Sequence, residues 1–382
     1  MQPTRRPLSP DRLLAGPRGR RLLLELAGEA ERTARADGGG PLRHAVFDAS
    51  YRLAKLAGRS VSRFGWPPVD PDEIPSTRPD AVAAALAGSP LPAPTPDVLR
   101  TCLARSVDAA MYWQGPDGDD LLAATAAVRE GLRRVAEWVC ATPASTWLAE
   151  GFAPDRQLTL DWPEARSPSY GPAAEMLGAW REDVTATESE AGRDRPADPG
   201  APYSGTWWST PPHGLPVTCP ELFDGTPSGL WVAEDTVGWT RAIASRIEVP
   251  PAARVYEVDG PGDWAALCRA HPVEVTASRR HDWYRATSGF REPGWAGRWV
   301  VPDWAAVAAH YDAVHLTYAG YLSSAGLAIP VDDPASVDDT RSVIAGWNPG
   351  ATYWLTDLAP SANAVRWHCV ERADESRWEI ER

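Results

Sequence analysis

Lysine is almost missing: Lys55 is the only one in 382 residues, and arginine carries the rest of the basic charge. Acidic residues outnumber basic ones by 51 to 38, for a net charge of −13. Such a chain lacks a broad cationic face, which excludes general binding to nucleic-acid phosphates but leaves room for a local arginine pocket. Cysteine is also scarce. Cys102, Cys140, Cys219, Cys268 and Cys369 are odd in number, widely spaced and form no CxxC, which argues against a disulfide framework or a structural zinc site. The seven histidines show no HExxH or comparable ligand spacing, so no metal is expected. GxSxG, GxGxxG and the P-loop are all absent, and with them the sequence marks of an α/β-hydrolase, a Rossmann domain and a P-loop NTPase. No apolar run reaches the length of a signal sequence or a membrane span, since Leu22-Leu23-Leu24 meets Glu25 at once. The chain is expected to stay in the cytoplasm, without a membrane partner.

Hydrophobic residues make up 43% of the chain, enough to build sizeable cores, and the length suggests two domains. The abundance of arginine, alanine, glycine and proline reads as a GC-rich codon pool. The 19 tryptophans do not have that explanation and imply large side chains in cores or pockets.

Residues 1–20 are rich in arginine, proline and glycine and are expected to be mobile. Helical periodicity follows over 21–36, 43–56, 80–86, 95–112 and 119–141, the last with Leu122, Val128, Leu132, Val135 and Val139 on one stripe. Asp119 and Asp120 sit where a helix N-terminus favours anions. Residues 157–162 alternate as a strand does. The stretch 185–202 is polar and poor in apolar residues, and reads as a linker. It separates a mainly helical domain, 21–184, from a domain over 203–382. There, short strand-like runs (206–209, 229–233, 254–258, 299–301, 314–318 and 351–355) mix with helical ones (239–245, 263–270 and 303–311). The class is therefore α+β: a helical N-terminal domain followed by a mixed, curved sheet with short helices.

Three segments could carry chemistry. In 203–211, Thr206 and Trp208 would share one strand face, while Trp207 and Ser209 share the other. One tryptophan could enter the core and the other stack on a planar ligand, with Ser209 and Thr210 beside it. In 227–232, Gly229 serves either the turn alone or the close approach of a ligand, and Trp231 follows it. The densest polar cluster is 274–284. Arg279 and Arg280 pair two guanidiniums suited to a phosphate or carboxylate, with Glu274, His281, Asp282 and Tyr284 nearby. The same cluster would also suit a solvated loop anchored by Trp283 and Tyr284. His315 and Thr317 lie on the strand face opposite Val314 and Leu316.

Over residues 203–357, the order of these elements resembles mono-ADP-ribosyltransferases. A Thr/Ser/Trp strand leads to Ser-Gly-Leu-Trp-Val, then Arg-Val-Tyr-Glu-Val-Asp, the Trp304 helix with His315 beyond it, and Trp347-Asn348 before Tyr353-Trp354-Leu355. The chain also resembles a group of actinobacterial proteins. The resemblance implies a split, curved sheet that clamps NAD, and an acceptor that is a protein, a nucleic acid or a small molecule. It assigns NAD to Thr206, Trp208, Ser209, Thr210, Trp231, Arg279 and Arg280. Catalytic candidates are Glu257, Glu274, His281 and Tyr284, with Glu234 as a further carboxylate. The final strand of this chain, 351–356, contains no glutamate. That gap, and the wealth of tryptophan, leave a second expectation open: a non-catalytic binding or interaction protein with a Trp-rich ligand cleft.

Overall fold

The computed structural model describes residues 6–35, 40–61, 75–164, 171–234, 238–289, 295, 297–331, 339–358, 363–372 and 375–381. Proline opens each early helix: α1 (Pro10–Ala15), α2 (Pro17–Ala34), α3 (Pro41–Leu56), α4 (Pro79–Gly88) and α5 (Pro96–Asp108). The first turn has no partner for that N–H anyway, and the proline φ is already helical. Ser9 and Thr95 cap α1 and α5 by accepting from Arg12 N and Val98 N.

The single helix expected over 119–141 is two, α6 (Gly118–Ala124) and α7 (Ala126–Ala141). They part at Thr125, whose backbone is extended and whose hydroxyl donates to Leu122 O at 2.8 Å. A threonine hydroxyl gives the chain this local alternative to a helical bond. Asp117 caps α6, and Asp119 and Asp120 lie in its first turn, at the positive helix end.

The opening twenty residues are not mobile where described. Leu13 and Leu14 are fully buried, and α1 and α2 pack on α12 (Tyr318–Ser324). Side chains on Gly16 and Gly19 would strike Leu322 O at 2.4 Å and Leu13 O at 2.2 Å, so these glycines permit close contact. Arg18, Arg20 and Arg21 are buried and bonded. Arg20 donates to Leu14 O and Ala15 O at 3.0 and 2.7 Å, which satisfies the last carbonyls of α1. Arg21 reaches Asp117 at 2.8 Å and Glu25 at 2.9 Å.

The remaining helices are α8 (Ala173–Asp194), α9 (Pro261–Ala270), α10 (Thr276–Ala286), α11 (Trp304–Ala308) and α12. Helix α8 overturns the linker reading up to residue 194. Only Ala173, Leu177, Val184 and Ala191 are buried along it, a stripe too thin to show against its charged face. It docks on α10, where Glu188 accepts from Ala277 N and Ser278 N at 2.6 and 2.8 Å.

The strands are β1 (Gln157–Asp161), β2 (Val217–Pro220), β3 (Arg241–Arg246), β4 (Val255–Val258), β5 (Pro272–Glu274), β6 (Arg298–Pro302), β7 (Ala313–Leu316), β8 (Ile329–Pro330), β9 (Thr340–Ser342), β10 (Thr352–Trp354), β11 (Ala364–Arg372) and β12 (Glu375–Ile380). They build an eight-stranded sheet, β12-β11-β3-β1-β2-β10-β7-β4, and a four-stranded one, β5-β6-β9-β8. Pairs β4–β7 and β6–β9 are parallel, and the others are antiparallel. Helices dominate the first half and strands the second, as an α+β chain should.

Strand β1 lies inside the large sheet although it precedes residue 185. One hydrophobic cluster runs from Leu13, Leu22 and Leu132 to Val258, Trp264, Val314 and Trp347. The expected division at 185–202 thus falls across a shared sheet and a shared core. The expected helix over 239–245 is strand β3, in which Ala242 and Ala244 are buried on one face. The expected strand over 206–209 is irregular, and 229–233 holds a 3-10 turn at Ser228–Leu230. Among the described residues, no helix is long and apolar enough to cross a membrane.

Candidate functional site

Strand β1 pairs with β3 through Asp161 but with β2 only through Thr159, opposite Thr218. The chain before Val217 stays with β10 instead, where Trp354 N donates to Pro216 O at 2.9 Å. The sheet therefore parts, and a cavity of about 700 Å³ occupies the opening. Leu160, Asp161 and Trp162 line one side, and Gly214, Leu215, Pro216 and Val217 line the other. Thr218, Cys219, Gly229 and Ala233 close the inner end, and Asn348, Ala351 and Tyr353 add a further wall. A side chain on Gly229 would meet Leu160 Cδ1 at 2.7 Å and Cys219 Sγ at 3.3 Å, so the protein's own packing already demands glycine there.

A polar row crosses one face of the sheet beside this opening. Thr159, Thr218, Thr352, His315 and Glu257 lie in register on five adjacent strands. Gln157 Oε1 accepts from Thr218 at 2.6 Å and from Thr352 at 3.3 Å. The Thr352 hydroxyl, having spent its proton on Gln157, accepts from His315 Nδ1 at 2.8 Å, which assigns the proton to Nδ1. Trp354 Nε1 donates to Thr218 at 3.0 Å, and Phe152 N donates to Glu257 Oε2 at 3.0 Å. The ring of Phe152 stands edge-on to His315, 5.6 Å away. Gln157, Thr218, Thr352 and His315 are all buried, so these bonds replace lost water and stiffen the strands on one flank of the cavity.

The residues expected to hold NAD are dispersed. Arg279 is buried; its Nε donates to Trp208 O and its NH1 to Ser278 Oγ, each at 3.2 Å. Burial lowers its pKa to about 10, against the raising field of Glu188. The guanidinium thus braces the 203–210 segment and Trp208 with it. Ser209 exchanges hydrogen bonds with Ala345, Thr210 is buried and Thr206 is half-buried. Arg280 donates to Ala197 O at 3.2 Å. The polar cluster read as a loop or pocket is helix α10. In it His281 is buried against Tyr203, and Tyr284 is half-buried. Burial, and then the charge of Arg280, lower the pKa of His281. Glu274 is exposed and bonds Arg298 and Thr276 at 2.6 and 3.0 Å. Trp231 lies under the guanidinium of Arg100 and donates to Thr226 at 3.1 Å.

Trp208, Ser209, Thr210 and Arg279 come together, but Trp231, Glu257 and Glu274 are not part of that group; none of the residues expected to hold NAD or to catalyse lines the cavity, whereas Gly229, read as a turn or a close approach for a ligand, does. Glu234 is adjacent to the lining residue Ala233. Its Oε1 accepts from Tyr112 and Tyr321 at 3.0 and 2.7 Å, and its N–H donates to Asn348 at 2.8 Å. The residues that sequence reasoning missed as a site are Asp161, Trp162, Asn348 and Tyr353. The signal that could have found them is the pairing of an aromatic strand end at 162 with the Trp-Asn and Tyr-Trp segments at 347–354.

Among the described residues, no group of three or more His, Cys, Asp or Glu side chains is placed to hold a metal. No family model matches the chain, and no curated protein or solved structure matches it either.

Proposed function

We propose that this chain is a ligand-binding protein, and that the parting of β1 and β2 holds a small organic molecule. The cavity there carries the reading. Its volume falls within the range of about 300–1,000 Å³ that ligand sites occupy, and it combines an indole, apolar walls and a few hydroxyl and amide groups. Ligand-observed NMR with a library of small organic fragments tests it. Ser245 of β3 also lines the cavity, so fragments should bind the native chain and lose binding when Ser245→Trp fills it. Hits that survive this substitution would place binding elsewhere.

A second reading, an ADP-ribosyltransferase-like enzyme using NAD, draws support from the parting itself, because the resemblance implies a split sheet. The residues present do not fit the dinucleotide. Arg279 and Arg280 donate to carbonyls away from the cavity, and its described lining has no arginine or lysine for a pyrophosphate. Release of nicotinamide from NAD, followed by chromatography, would favour this reading over the first.

A further inference from the structure

We infer, resting on the ligand-binding reading, that the cleft selects a flat organic cation. Among the described residues lining it, the charged ones are Asp161 and Asp357, both exposed at the mouth, and no arginine, lysine or histidine joins them. Asp357 accepts from Ala173 N at 2.9 Å, so part of its charge is spent on the start of α8. The Asp161 carboxylate has no hydrogen-bond or ion-pair partner among the described residues. A carboxylate at the entrance of an apolar cleft favours a cation and opposes an anion.

The indole of Trp162, the next residue along the chain after Asp161, also lines the cleft. Trp239 lies 5.2 Å from it at a tilt of 39°, and Trp378 meets it edge-on at 5.8 Å. Trp378 is itself buried, so the indole is held before any ligand arrives. A fixed indole offers its electron-rich face to a planar cation. The inner end of the cleft, with Thr218 and Ala351 buried, supplies shape and polar contacts but no charge.

Benzamidinium, benzamide and benzoate have nearly one shape and charges of plus one, zero and minus one. Titration of the full chain with each, followed by tryptophan fluorescence and calorimetry, tests the inference. Benzamidinium should bind about tenfold more tightly than benzamide, and benzoate more weakly than either. Added salt should narrow the spread. Asp161→Asn should reduce the preference for the cation severalfold. Glu190→Gln, an exposed change elsewhere on the acidic surface, should leave it intact and so controls for the overall negative charge. Equal affinities, a preference for benzoate, a preference unchanged in Asp161→Asn, or no binding of all three would overturn the inference. Each of those results leaves the ligand-binding reading to be judged separately, by the loss or survival of fragment hits in Ser245→Trp.

Discussion

The guanidinium of Arg100 lies 3.8 Å above the ring of Trp231, and its N–H groups reach Asp97 at 2.6 Å and also Asp224. Arg100 belongs to α5, whereas Trp231 and Asp224 lie in the chain between β2 and β3. One side chain thus fastens the helical half to the sheet half. Trp231, which the sequence suggested as a cofactor wall, is covered by this contact. Arg100→Ala should lower stability by about 2 kcal/mol, through the lost stacking and the stranded carboxylate. A urea denaturation curve with an unchanged midpoint would exclude this role.

Asp224 gives the same joint a pH dependence. Burial alone would raise its pKa, but hydrogen bonds from Thr226, and then Arg100, outweigh it and hold the value below the usual 3.8. An acid lowered in the folded state adds stability above its unfolded pKa and loses it as pH falls through the folded one. Between about pH 4 and pH 2 the native chain should therefore lose stability more steeply than Asp224→Asn. Urea midpoints measured at steps across that range would show parallel curves if the idea were wrong.

Arg18 and Asp120 form a buried ion pair, and Arg18 also donates to Ser106 O at 2.6 Å. Removing one partner strands the other charge. Arg18→Met should cost about 3–5 kcal/mol, while Arg18→Met combined with Asp120→Leu should recover much of it. Arg21, 3.5 Å from Asp120, limits the recovery because it would in turn lose a carboxylate. The double-mutant cycle would sink this account if the two changes added.

Cys219 reports on the cleft. Burial pushes its thiol up to about 11, so at pH 8 on the order of one molecule in a thousand carries the reactive thiolate. Iodoacetamide should modify Cys219 slowly in the folded chain and rapidly after denaturation, as read by peptide mass spectrometry. A ligand in the cleft should slow it further. Fast modification of the native protein would mean that the inner end is open to solvent.

Parts of this fold were legible where pattern and punctuation agree. Helix α11 announces itself with Pro302-Asp303, and Asp303 does cap it by accepting from Ala306 N at 3.1 Å. Strands β4, β6 and β10 are short runs with β-branched and aromatic residues, and they and β7 each overlap a segment expected to be extended. Strand β3 was hidden because Arg-Ala-Ile-Ala-Ser-Arg buries only alanines, which carry little strand preference. The arginines near the N-terminus looked solvated because composition does not reveal that Arg18, Arg20 and Arg21 find buried partners. The cleft was the least legible feature. It joins strand ends at 158–162, 214–219 and 348–358, and no local motif reports that two strands will separate.

The place of β1 has a consequence for synthesis of the chain. This strand is made early, yet both its neighbours come later, at 217–220 and 241–246. On a ribosome the helices can collapse around their own leucines while Leu158 and Leu160 wait with both strand edges unpaired. Long-range pairing of this kind is slow to form and prone to capture by other chains. A fragment that starts after residue 202 would have the opposite fault, with β2 and β3 facing an empty slot at the centre of the sheet.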